Sequence, residues 1–232
     1  MRQAGGMTTA DGWVAAARSR IGLGRLLPLG GPQDGAWIAE RAADAVLRRA
    51  ARKVPGVEPG RLRITLADEA AAPRSAFPAP PGSVPPGPLR IEAGFAAGYG
   101  VPLPDLAERL RTALSAACER RLGLTVARVD LRVTALLDAP PEPPAPAPPP
   151  EKEAGPQEDT AAVAAVAVPG VARLTGVLGA PVHRADDHVR VELATTPDHR
   201  PLDVARAVRG AVGGELPVTV VVTDVTRRVQ SD

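Results

Sequence analysis

The chain has few aromatic, cysteine and histidine side chains, and these shortages narrow both how its core is built and what chemistry it can carry. Two tryptophans, two phenylalanines and one tyrosine serve 232 residues, so any core must be built from Ala, Val and Leu. Cys118 stands alone, which excludes an intramolecular disulfide and a thiolate metal cluster. It falls by the apolar stripe of a predicted helix, as an inert core thiol would. The three histidines, His183, His188 and His199, lie among Asp186, Asp187 and Asp198, but their spacing matches no compact metal-ligand motif. No Gly-x-Ser-x-Gly occurs, and Gly94 to Gly100 lacks the spacing of a phosphate-binding loop. The paired carboxylates, Asp186-Asp187 and Asp105 with Glu108, read as loop solvation and helix capping. No catalytic, cofactor-binding or metal-ligating residue is therefore expected, and the chain reads as a non-enzyme.

Long apolar runs are missing as well. A membrane-crossing helix needs about 20 apolar residues; Ala161 to Ala172 is too short and is broken by Pro169. The first residues show no basic start followed by an apolar stretch and a small-residue cleavage site, so a cytoplasmic location is expected. The formal charge of +2 is too small to define a nucleic-acid protein by itself, although the pI is about 9.2.

What the sequence does contain is a repeated order of motifs. Val54-Pro55-Gly56-Val57 recurs as Val168-Pro169-Gly170-Val171. Asp105-Leu106-Ala107 with Leu110, Arg111, Ala113 and Leu114 is answered by Asp203-Val204-Ala205 with Val208, Arg209, Ala211 and Val212. Each half then ends in an alternating apolar run, and the interval between the matched blocks is shorter the second time. The pattern reads as one architecture used twice, with a reduced second copy.

Within the first copy, Ile38, Ala42, Val46, Ala50 and Val54 make an apolar stripe that predicts a helix from about Ile38 to Val54, ended by Pro55-Gly56. Leu62, Ile64 and Leu66 predict a half-buried strand, and Leu89 to Ala97 a longer one. Residues 70–88 contain seven prolines and read as a long exposed loop. Leu103, Leu106, Leu110, Ala113, Leu114 and Ala117 define a second helix. Pro104 and Asp105 suit its start, Arg120 and Arg121 its end, and Gly123 stops it. Val129 to Ala135 closes the copy as a strand. Eight of the twelve residues from Ala139 to Pro150 are proline, a stiff spacer. The second copy is predicted as a short helix at Thr160 to Val168, a strand at Val189 to Leu193, a helix at Pro201 to Val212 and a strand at Val218 to Val225.

These elements divide the chain into a flexible, glycine-broken segment at 1–35, a domain at 36–138 with its proline-rich insertion at 70–88, a linker at 139–159 and a shortened second copy at 160–228. Trp13 to Leu27 can also be read as a membrane-surface helix, although Arg20 projects into its apolar side. Arg48, Arg49, Arg52 and Lys53 form a basic edge on the first helix, either a solvated helix face or a contact for a partner.

The order Ala36-Trp37-Ile38-Ala39-Glu40-Arg41-Ala42, Val54-Pro55-Gly56-Val57, then Tyr99-Gly100-Val101-Pro102-Leu103-Pro104-Asp105-Leu106-Ala107, Leu122-Gly123-Leu124 and Val129-Asp130-Leu131-Arg132-Val133 resembles the alkaline shock, or envelope stress response, proteins of bacteria. The resemblance covers about residues 35–137, with a weaker echo over 160–226. It implies an α+β fold: two layers, with two helices packed on one face of a small, mostly antiparallel sheet, here as a tandem repeat with the second copy reduced. It also implies a non-enzymatic protein that acts through protein–protein interaction and self-association near the membrane, held there by a membrane-embedded anchor protein. The alternative is an arginine-rich nucleic-acid-binding module, suggested by Arg61, Arg63, Arg90, Arg128 and Arg132 on strand faces.

Overall fold

Apolar strands need a neighbour along each edge and cover on each dry face, and this chain meets both needs with segments far apart in sequence. The computed structural model describes residues 22–98, 100, 102–137 and 159–226. The proline-rich spacer and most of the Trp13 to Leu27 segment lie outside the described residues. The elements in chain order are β1 (Leu26–Leu29), β2 (Ala36–Ala39), α1 (Glu40–Ala51), β3 (Val57–Leu66), β4 (Leu89–Gly98), α2 (Leu103–Ala116) and β5 (Val126–Leu137). They continue as α3 (Thr160–Val166), β6 (Val171–Leu174), β7 (Val182–Arg184), β8 (Val189–Thr195), α4 (Pro201–Val212) and β9 (Val218–Val225). A π-helical turn, Ala117–Leu122, extends α2.

The expected two-helix, one-sheet unit is overturned. Among the described residues there are four α-helices and two separate sheets, one of six strands and one of three, both of mixed pairing. In the smaller sheet β4 lies between antiparallel β3 and parallel β5. In the larger sheet the order is β1-β2-β9-β8-β6, with β7 also paired to β8; β2, β9 and β8 run parallel.

The physical reason is β2. Ala36-Trp37-Ile38-Ala39 has no polar face, and all four residues are buried, as in a strand covered on both sides. It pairs with β9 from the far end of the chain, Trp37 opposite Val221. The first helix consequently starts at Glu40 rather than Ile38. Leu26–Leu29, inside the segment read as glycine-broken and flexible, is likewise a wholly buried strand on the outer edge of β2.

The two Val-Pro-Gly-Val segments make the same turn. The amides of Val57 and Val171 donate to the carbonyls of Val54 and Val168, each at 3.2 Å, and the Gly56 and Gly170 carbonyls accept from Gly98 at 2.7 Å and Thr196 at 2.8 Å. Both glycines have positive φ, 82° and 90°, where a side chain would be strained. α2 and α4 each carry the chain over to the parallel strand that follows, β5 and β9, the crossover that parallel pairing requires.

One buried core joins both sheets and the helices between them. α1 contributes Ala42, Ala43, Val46 and Leu47, and α2 contributes Leu106, Leu110 and Leu114. Gly123, with φ 90°, lets α4 approach closely: a Cβ there would stand 2.3 Å from that of Leu202. The proline-rich segment is no free loop. Pro80, Val84 and Pro86 are buried, the Trp37 indole donates to the Val84 carbonyl at 3.3 Å, and Thr219 Oγ1 donates to the Pro78 carbonyl at 3.0 Å. Prolines have no amide hydrogen to leave unmet, so such a segment can be laid across a sheet without stranding donors.

Candidate functional site

The α1 and α2 helices end side by side, and the β8–α4 loop passes the same spot. Together they enclose an open cleft of about 640 Å³. α1 supplies Arg49 and Lys53, the π-helical end of α2 supplies Arg120 and Arg121, and the loop supplies Arg200. Val46, Ala50, Val54, Ala113 and Ala117 form an apolar floor. Among the described residues Asp198 is the only carboxylate on the lining.

Helix geometry explains why the cations gather here. Arg49 and Lys53 lie at the C-terminal end of α1, and Arg120 and Arg121 in the last turn of the helical segment that extends α2; positive side chains there complement the partial negative charge of the helix ends. That interaction answers only part of their charge. Among the described residues none of Arg49, Lys53, Arg120 and Arg121 has a carboxylate partner. Arg200 touches Asp203 at 3.3 Å, while its Nε is enclosed without a protein partner. Asp198 stays ionised: its hydrogen bond from Thr196 leads the effects that hold its carboxyl below the usual carboxylate range.

Of the four residues of the predicted basic edge, two belong to the cleft. Arg49 and Lys53 line it. Arg48 instead ties α1 to the smaller sheet, holding Asp44 at 2.6 Å and the Gly60 carbonyl at 2.7 Å. Arg52 is exposed but is not on the lining. Arg120 and Arg121 had a sequence signal, a second basic doublet at a helix end. Arg200 had none, because it reaches the cleft only through the packing of α4.

The histidine and aspartate cluster is not brought together. His183 and His188 sit in the β7–β8 hairpin, while His199 lies beyond the other end of β8. Among the described residues no three histidine, cysteine or acidic side chains could hold a metal ion. Thr196 Oγ1 at 3.0 Å and Asp198 Oδ2 at 3.2 Å both meet His199 at the same nitrogen, Nδ1. One ring nitrogen cannot be oriented by the acid while taking a proton from the hydroxyl, so this is not a nucleophile relay. Cys118 is fully buried, and burial pushes its thiol up to about 12.

The strand arginines occupy a second surface. Arg61, Arg63, Arg90 and Arg132 line a depression on the solvent face of the three-stranded sheet, with Glu92 and Asp130 between them. Asp130 holds Arg90 at 2.6 Å and Arg128 at 3.2 Å, leaving Arg61, Arg63 and Arg132 without an ion pair among the described residues.

No protein-family model, no curated protein and no solved structure matches this chain. Among the described residues, no helix is long and apolar enough to cross a membrane.

Proposed function

We propose that this chain is a non-enzymatic interaction protein of the alkaline-shock type, held near the membrane from the cytoplasmic side by a protein partner, and that an acidic segment of that partner docks in the cleft. The observation that carries the reading is the convergence of five cationic side chains, from three separate segments, on one apolar-floored groove with a single carboxylate among the described residues. An apolar floor under a cationic rim suits an amphipathic acidic peptide: apolar side chains enter the groove and carboxylates meet the arginines, which bind them in a forked geometry. Self-association is the second part of the reading.

The arginine face of the smaller sheet favours a second reading, nucleic-acid binding. Binding of single strands draws on aromatic stacking, which the described residues of that face do not offer: Trp37 and Phe95 are buried, and Phe77 lies 3.9 Å from the guanidinium of Arg209. The two readings separate in one titration. Full-length protein is titrated into a labelled peptide of alternating Glu and Leu and, separately, into single-stranded RNA, at low and high salt. The first reading expects peptide binding that weakens about tenfold or more in the Arg49→Glu, Arg120→Glu double variant, with RNA bound more weakly than peptide. Peptide affinity indifferent to that reversal removes the cleft as the docking site. Tight RNA binding that falls steeply with salt and survives the reversal selects the second reading.

A further inference from the structure

Among the described residues four strand edges bound the two sheets, and three of them are blunted. β1 is four residues long, carries Pro28, and already gives its Leu26 carbonyl to the Val84 amide at 2.8 Å. β3 contains Pro59 and an irregularity before Leu62, and its Gly60 and Ile64 carbonyls accept from Arg48 and Arg25. β6 and β7, which share one side of β8, have four and three residues. Proline, shortness and irregular pairing are the usual protections against edge-to-edge association. β5 has twelve residues, no proline, β4 as its only strand neighbour among the described residues, and an unbroken register with β4 from Arg128 to Val133, between two irregularities. It is exposed on both faces from Arg132 to Leu136, and Leu136 is 66% exposed. Arg111 Nε reaches the Val129 carbonyl at 3.3 Å, a long contact that a neighbouring amide would displace.

The charges along this edge are complementary to themselves in one register. A second β5 laid antiparallel about a two-fold axis at Leu131 sets Asp130 opposite Arg132 and Arg132 opposite Asp130, with Val129 opposite Val133. Opposite residues of an antiparallel pair stand close enough for their side chains to interact. Moving the axis to Asp130 opposes like charges throughout, Asp130 to itself and Arg128 to Arg132. Moving it to Arg132 opposes that arginine to itself. Arg132 has no ion pair among the described residues, and the Asp130 side chain is 38% exposed beside Arg90 and Arg128.

The geometry points to a homodimer built by antiparallel β5 pairing about Leu131, in which two three-stranded sheets become one of six strands. This gives the self-association of the proposed reading an address, and in that respect rests on it. The test is sedimentation equilibrium of the full chain with Arg132→Asp, Asp130→Arg and an equimolar mixture of the two variants, after circular dichroism has shown that each is folded. The wild type is expected to dimerise. Each single variant, with like charges opposed at both symmetric contacts, should dissociate about tenfold or more readily. The mixture should dimerise again, because only the heterodimer places opposite charges at every contact. A wild type that stays monomeric overturns both the dimer and the self-association reading. A dimer that neither variant weakens, or that the mixture fails to restore, overturns the β5 register and leaves self-association by another surface.

Discussion

Glu192 shows how strongly single side chains are constrained here. Its side chain is wholly enclosed, accepting from the Leu178 amide at 2.9 Å and from Arg190 at 3.1 Å. Burial pushes its carboxyl above the ordinary value of 4.5, against the opposing pull of the Leu178 amide and the Arg190 charge. An acid raised in the folded state keeps its proton where the unfolded chain has lost it. Its stabilising contribution is therefore complete below the unfolded value and is lost as pH rises through the folded one. Chemical denaturation across pH should show wild-type stability falling more steeply than that of Glu192→Gln from about pH 4.5 upward. Equal slopes for the two proteins would mean that Glu192 is not protonated more readily in the fold. Asp34 behaves oppositely: burial raises its carboxyl, but Arg206, the Gly31 amide and the nearby Arg209 charge more than offset that and hold it low. Its contribution is present at neutral pH and is lost on acidification.

At the scale of elements, what could be read from sequence was what is local. The α2 stripe is buried at Leu106, Leu110 and Leu114, and β4 alternates buried and half-buried along its whole length, because each pattern needs only its own residues to declare a dry face. The β1 and β2 strands were not legible, since their meaning depends on β9 at the opposite end of the chain. Ile38 fits the i, i+4 series of α1 as well as it fits a strand, and only the pairing with Val222 decides between them. The same limit applies to the cleft: Arg49 and Lys53 stood in a visible basic edge, whereas Arg200 joins them only after α4 has docked. Because β2, from the first half of the chain, pairs with β9 from the second and packs in the core that both sheets share, its disruption should be felt throughout. Trp37→Ala should cost about 3–5 kcal/mol, and the loss should appear as one shifted, cooperative transition reported equally by probes in the smaller and larger sheets. Two separate transitions, with the smaller sheet unaffected, would contradict a shared core.

Across the whole molecule, a formal charge of only +2 conceals strong segregation. Asp34 and Arg206 pair at 2.7 Å, and Asp159 and Arg184 at 2.9 Å, while Arg49, Lys53, Arg120 and Arg121 meet almost no opposing charge in the cleft. Composition alone therefore understates what the folded surface can attract, since a local field in a concave site acts on a partner before net charge does. In the proposed reading that field holds an anchor protein's acidic segment; among the described residues no helix is long and apolar enough to cross a membrane. No residue of β5 lines the cleft, so docking and self-association can be separated by substitution.

The most direct measurement is fractionation of cells making the wild type or the Arg49→Glu, Arg120→Glu variant at native level, with membranes washed at low and high salt. The wild type should sediment with the membrane at low salt and leave it at high salt, and the variant should be found in the soluble fraction under both conditions. A wild type found only in the soluble fraction, or a variant that stays with the membrane as firmly as the wild type, would contradict docking through the cationic cleft.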